Sequence, residues 1–286
     1  MIKTYIIGTG NFSFNLSKKI KFSQIYSTKN FLKEISVINE NKSKINIIIN
    51  SFFSSKKIHE INKYNDFVIR TVFNISKILD SLKPKIINKI IYTSSSSVYG
   101  SINSQFLNVV DNNREIYAAF KIAAECLIKN FCKKNKIPII ICRVFNLYGN
   151  NDDFSILQAI KKVIKTSKKI KIFNKGLSVR DYIHVEDVIK IYSYILKNIH
   201  SSNYFDIGTG KGLTLLEIIK KLNLKDKNII FEKKKIREIK YSIARNHDIL
   251  KKIPNIKFKN VEEYLNISEK LHYKKNIGKN YIDYKF

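Results

Sequence analysis

Tyr117 and Lys121 are the first pair in this sequence whose types and spacing could do chemistry. A separation of four is about one helical turn, so on a helix both side chains share a face. A phenol ionises near ~10 and is a poor base at neutral pH, but a neighbouring ammonium group favours its phenolate. The pair therefore reads as a proton shuttle. Upstream lies Thr93-Ser94-Ser95-Ser96-Ser97-Val98-Tyr99-Gly100, a run of hydroxyls that closes a strand-like segment. In an open sheet the carboxyl ends of the strands face the ligand crevice. Near the N-terminus, Gly8-Thr9-Gly10-Asn11-Phe12-Ser13 follows the first strand-like run and precedes a helix. Small residues in that setting let a dinucleotide pyrophosphate approach backbone N–H groups. The second strand-like run ends in Tyr26-Ser27-Thr28-Lys29, without the acid that holds a ribose 2′-hydroxyl. Hydroxyls beside a lysine suit a 2′-phosphate, so NAD and NADP both stay open.

The elements that must position these residues follow from periodicity. Apolar strand-like runs at Tyr5-Ile7, Gln24-Tyr26, Ile45-Asn50, Ile90-Thr93 and Ile139-Val144 alternate with amphipathic segments such as Asp66-Leu82 and Ile116-Cys132. Parallel strands need crossover helices of this length, so the alternation predicts an α/β fold built on a doubly wound parallel sheet of the Rossmann kind. After Gly149 the pattern is less regular: a helix over Phe154-Thr166, a short strand near Lys171-Phe173 and a helix after His184. The expected organisation is a dinucleotide-binding domain over 1–150, with 180–205 returning to it, and a smaller, substrate-binding C-terminal lobe over 151–286.

Composition narrows the class. The chain has 286 residues, 44% hydrophobic, and no apolar run of the ~18 residues that a membrane span needs. Its N-terminus lacks the pattern of a secretion signal, so a cytoplasmic location and no membrane partner are expected. Cys126, Cys132 and Cys142 have no metal or disulfide spacing and are expected to be buried thiols, and the five histidines are too scattered to predict a metal site. The net charge is +30, yet only six of the 53 basic residues are arginine, and the lysines are spread along the chain beside abundant Ile and Asn. Recognition of a phosphate backbone favours clustered arginine, so nucleic acid is not the expected partner.

Further segments complete the pattern: Lys121-Ile-Ala-Ala-Glu125, Arg143-Val-Phe-Asn146-Leu-Tyr148-Gly149, Val179-Arg180-Asp181-Tyr182-Ile183-His184-Val185-Glu186-Asp187 and Phe205-Asp206-Ile207-Gly208-Thr209-Gly210. With the glycine turn, Ser95 and the Tyr117/Lys121 pair, they make the chain similar, nearly end to end, to the extended short-chain dehydrogenase/reductases, the NAD(P)-dependent nucleotide-sugar epimerase/dehydratase family. The resemblance implies Tyr117 as general acid/base on a sugar hydroxyl, Ser95 sharing that proton, and Lys121 gripping the nicotinamide ribose and lowering the phenol's pKa. It implies cofactor contacts at Gly8, Gly10, Asn11, Phe12, Ser27, Lys29, Asn50, Tyr117 and Lys121. For the substrate it implies Ser95, Asn146, Arg180, Tyr182 and Arg237, with His184 a structural hydrogen-bonder. A homodimer through the helix carrying Tyr117 is the family's expectation.

The 4,6-dehydratases that resemble this chain place Asp-Glu where Ser96-Ser97 stand, and a carboxyl group is what moves a proton at a second carbon. The expected reaction is therefore oxidation and reduction at C4 of a nucleotide-linked hexose, giving an epimerase. An NADPH-dependent 4-keto reductase is the nearer alternative. A non-catalytic dinucleotide-sensing or nucleic-acid-binding protein on the same fold is the more distant one, since fold alone does not imply function.

Overall fold

The run Ile45-Asn46-Ile47-Ile48-Ile49 shows why a central sheet forms, because every one of its residues is buried, as in a parallel strand covered on both faces. The computed structural model describes residues 2–50, 65, 68–100, 112–150, 152–166, 169–222, 228–233, 239–253 and 256–265. Its main sheet has six strands, β1 (Lys3–Ile7), β2 (Ser23–Tyr26), β3 (Ile45–Ile49), β4 (Ile87–Ser95), β5 (Ile139–Val144) and β9 (Asn203–Ile207), in the order β2-β1-β3-β4-β5-β9. All the pairings are parallel. Strand addition reverses direction at β1, so the crevice lies beyond the carboxyl ends of β1 and β3.

Among the described residues one strand, β2, lies beyond β1, where the order typical of dinucleotide-binding sheets has two. The reason is local. After β2 the chain forms two short helices, α2 (Thr28–Lys33) and α3 (Ile35–Asn39), and enters β3 directly.

Helices cover both faces. On one, α4 (Asn74–Ser81), which continues a π-helical turn over Ile69–Phe73, and the long α5 (Asn112–Lys134) pack Ile75, Ile78, Ala124 and Ile128 against Ile47, Ile90 and Ile141. On the other, α1 (Asn11–Ser17) and α7 (Val185–Asn198) pack Phe12, Leu16, Val188 and Tyr192 against Ile6, Ile48, Ile91 and Cys142. Cys132 and Cys142 are buried, and burial pushes the Cys142 thiol up to about 12; Cys126, expected to be buried, is instead exposed on α5.

A separate apolar cluster joins α6 (Ile156–Lys165), β7 (Ile170–Ile172), α8 (Leu215–Lys221) and α10 (Val261–Tyr264). Beside it β8 (Val179–His184) pairs with β6 (Asn146–Tyr148), β10 (Gly212–Thr214) and β12 (Tyr241–Ser242). The remaining short elements are β11 (Ile229–Phe231), paired with β7, and α9 (His247–Leu250). Buried Asp181 ties this sheet to the glycine-rich turn after β9, accepting from Thr209 N, Thr209 Oγ1, Gly210 N and Ala244 N.

Candidate active site

Tyr117, Lys121 and Glu125 recur at intervals of four on α5 and are 9%, 2% and 4% exposed, so one stripe of that helix turns inward at the end of β4. Ser95 is the last residue of β4 and caps the 3₁₀ turn formed by Ser96–Tyr99. Its Oγ accepts from Ser97 N at 3.2 Å and from Ser97 Oγ at 3.0 Å, and its hydroxyl is the neighbour that lowers the Tyr117 phenol. Lys121 Nζ donates to the Thr93 carbonyl at 3.1 Å and lies 5.1 Å from the centre of the Tyr92 ring and 5.8 Å from that of Tyr117. The structure thus brings Ser95, Tyr117 and Lys121 together. Glu125 takes both forks of Arg143, at 3.1 and 2.7 Å, and the guanidinium stacks on Tyr99 and Tyr204.

Burial dominates the electrostatics of both Tyr117 and Lys121. Burial pushes the Tyr117 phenol up to about 12, and the Ser95 hydrogen bond is what pulls it down. Burial also lowers Lys121 to about 7, against the upward pull of Glu125. Desolvation disfavours the charged form of each group.

At the sheet's switch point, Gly8 has φ +121°, a conformation that favours glycine, and a Cβ there would overlap the Asn50 carbonyl. A Cβ on Gly10 would instead enter open space at the start of α1. That leaves the strand-to-helix turn uncovered on its outer side. Phe12 is buried in the core, edge-on to Tyr192 at 5.2 Å, so what it can offer a ligand is its backbone N–H. The Asn11 side chain donates to the Asn150 carbonyl at 3.0 Å and accepts from Asn15 at 2.7 Å. Asn50 turns inward: it donates to Ser13 Oγ at 3.1 Å and accepts from Thr93 Oγ1, which also meets Tyr192 OH at 2.7 Å. Ser27 caps α2 by accepting from Asn30 N at 3.1 Å, and Lys29 is exposed. The Tyr26 hydroxyl donates to Glu34 at 3.0 Å, which brings to the end of β2 a carboxylate that its sequence position, at the far end of α2, does not suggest.

Among the substrate candidates, Asn146 lies just past the end of β5 and donates to the Asp181 carbonyl at 2.9 Å. Half-buried Arg180 donates to the Val179 carbonyl at 2.9 Å. Asp181 is engaged by the turn after β9, and Glu186 by Lys259 at 2.7 Å. Tyr182 is buried in the apolar cluster of α6, β7, α8 and α10, and Arg237 lies outside the described residues. His184 Nδ1 accepts from Glu186 N at 3.2 Å and caps α7.

Sequence reasoning missed Tyr99, Asp206 and Arg245. They line a cavity of about 240 Å³ beside Ser96, with Phe145 and Tyr241. There Asp206 accepts from the Tyr99 hydroxyl and from Arg245 N. The signal for Tyr99 was present in the hydroxyl-rich run itself, four residues past Ser95.

Comparison with known proteins follows this geometry. Over 195 residues the chain is 27% identical to a dTDP-D-glucose 4,6-dehydratase of Dictyostelium discoideum, a match covering 63% of this chain and 45% of that protein. It is 26% identical to an ADP-L-glycero-D-manno-heptose-6-epimerase of Brachyspira hyodysenteriae, covering 71% and 66%. Among solved structures, a mutant UDP-glucuronic acid 4-epimerase of Bacillus cereus, in complex with UDP-4-deoxy-4-fluoro-glucuronic acid and NAD, superposes with a TM-score of 0.74 at 18% identity, covering 92% and 96%. The NAD-bound dTDP-glucose 4,6-dehydratase of Bacillus anthracis superposes with a TM-score of 0.71 at 17% identity, covering 94% and 97%. Residues 24–208, more than half of the chain, match one family model, and with it the chain belongs to the NAD dependent epimerase/dehydratase family.

Proposed function

We propose that this chain epimerises a nucleotide-linked hexose at C4, using NAD or NADP, with Tyr117 transferring the hydroxyl proton. The observation that supports this reading is the convergence of Ser95, Tyr117 and Lys121 at the end of β4. A nicotinamide dinucleotide, when bound, supplies hydride acceptance and return at the sugar carbon. The open side of the turn at Gly10 and the amine at the head of the cleft fit such a group. Backbone N–H groups at Gly10, Asn11 and Phe12 would hold its pyrophosphate, Ser27 and Lys29 its adenosine end, and Lys121 its ribose.

The protein's own part is the proton. Tyr117 Oη takes it from the sugar hydroxyl, and Ser95 shares that proton through a hydrogen bond. Asn146, Arg180 and Arg237 would take the diphosphate, because amide and guanidinium donors match phosphate oxygens. The lobe that holds the sugar is 151–286 apart from the segment 180–205. A second copy of the chain is the partner we assign to the exposed Ile69, Phe73, Ile122 and Leu127 on neighbouring helices.

Two other reactions are open to the family. Dehydration needs a carboxyl group at a second carbon, and the serine turn carries Ser96 and Ser97 in its place. Two described carboxylates of the surrounding elements are engaged, Glu125 by Arg143 and Asp206 by Tyr99 and Arg245. Reduction of a 4-keto sugar with exchangeable NADPH is favoured by Lys29 beside Ser27, and a cofactor lost on dialysis would select it. The deciding test for the proton step is Tyr117→Phe. UDP-, GDP- and dTDP-hexoses are first screened for stabilisation of the fold. With the hexose so found, the variant should bind cofactor as the wild type does and show no turnover; full activity would overturn the reading.

A further inference from the structure

We propose that Ser97 is a positioning residue that makes the Ser95 hydroxyl an obligate donor toward Tyr117, and so sets the direction of proton movement at the site. The inference rests on the roles proposed above for Ser95 and Tyr117, and it follows from counting lone pairs. A serine hydroxyl has one proton to give and two sites at which to accept. Both acceptor sites of Ser95 Oγ are filled by a single residue, Ser97, through its N–H at 3.2 Å and its O–H at 3.0 Å. What is left to Ser95 is its proton, and the group its hydroxyl acts on is the Tyr117 phenol.

The two contacts differ in origin. The first belongs to the backbone, since Ser95 caps the 3₁₀ turn and any residue at 97 other than proline supplies that N–H. The second exists only because residue 97 carries a hydroxyl. Without it, one lone pair of Ser95 is free to accept from the phenol or from a sugar hydroxyl. A hydrogen bond accepted from the phenol stabilises the neutral form, whereas one donated to it stabilises the phenolate. Two polarities then compete where the wild-type chain has one. Of the charged groups along the tyrosine's helix, those on its own stripe are Lys121, with Nζ 5.8 Å from the ring centre, and Glu125, which acts on Lys121, while Glu115 is exposed; from the facing strand end comes Ser95 itself.

The test reads the phenol directly. The full chain is labelled with tyrosine carrying 13C at Cζ, whose chemical shift moves toward the phenolate position as the oxygen receives a hydrogen bond. The Tyr117 signal is assigned by its loss in Tyr117→Phe, and spectra are taken with and without NAD. Ser95→Ala should move that signal toward the position of a phenol with no donor. Ser97→Ala should move it the same way by a smaller amount, and Ser97→Thr, which restores the hydroxyl, should leave it in place. The other signals, from 16 tyrosines in all, report that each variant is folded.

Turnover gives the second readout. In Ser97→Ala, kcat at pH 7 should fall about threefold to tenfold, equivalent to at most one pKa unit at the phenol, with KM little changed and the loss shrinking as pH rises. A Ser97→Ala signal that superimposes on the wild type, an immobile signal in Ser95→Ala, or a Ser97→Thr signal displaced as far as that of Ser97→Ala would each overturn the proposal. Activity in Tyr117→Phe would instead refute the proposed function, while the spectra still decide the direction of the hydrogen bond.

Discussion

Replacing Lys121 by methionine should make the protein more stable and the enzyme inert. The amine is 2% exposed, and its fall from 10.5 to about 7 corresponds, at about 1.4 kcal/mol per pH unit, to a cost near 5 kcal/mol when it is protonated. The sign follows from linkage. Below pH 7 folded and unfolded chains both carry the charge, and the full cost is present. Between about 7 and 10.5 the folded chain has lost the proton and the unfolded chain has not, so wild-type stability rises with pH through this group. Methionine removes the cost and keeps the packing, but forfeits the bond to the Thr93 carbonyl, worth about 1.5–3 kcal/mol for a charged donor. The balance is a gain of about 2–3 kcal/mol at pH 7, or roughly 4–6 °C in Tm for a chain of this size, which shrinks by about 2 kcal/mol by pH 9. Urea unfolding of both proteins at pH 6, 7, 8 and 9 measures it. A variant less stable than wild type at pH 7, with a difference that does not change with pH, would refute the reasoning.

Two further substitutions test the frame around the site. Ser94 Oγ is the one buried side-chain oxygen without a hydrogen-bond partner among the described residues, so Ser94→Ala should leave stability unchanged or raise it by about 1 kcal/mol in urea unfolding; a loss above that would mean a missing partner. Asp181→Asn sets an amide N–H against the donors from Thr209, Gly210 and Ala244 and should cost about 2–4 kcal/mol, whereas a change below ~0.5 kcal/mol would show that this carboxylate does not hold the turn after β9.

The parts of the fold legible in the sequence were those written in local spacing. Strands β3 and β5 announce themselves as isoleucine runs because a strand buried on both faces has little room for polar residues. Tyr117 and Lys121 are legible because one helical turn separates them. What stayed hidden depends on residues far apart in the chain. Asn50 closes a polar chain with Ser13, 37 residues away, and Thr93, 43 away, and Thr93 reaches Tyr192, 99 away. No local pattern marks such partners. The number of strands beyond β1 was equally illegible, since whether the segment after β2 forms a further strand or two short helices depends on packing against α4 and not on period alone.

The placement of charge in the site assigns different work to its members than their spacing suggests. Tyr117 is pushed up to about 12 and Lys121 down to about 7, so burial drives both toward neutrality. The Lys121 amine donates to the Thr93 carbonyl. Among the described residues, the contact that lowers the phenol is the Ser95 hydroxyl. In the proposed reaction the serine end of β4 would lower the Tyr117 phenol, and Lys121, held over the ring of Tyr92, would take the cofactor's ribose. The hydroxyls at the strand end and the helix face must both be in register for this to work. That register is fixed by the pairing of Ser95 with Val144 and by burial of the Tyr117, Lys121 and Glu125 stripe.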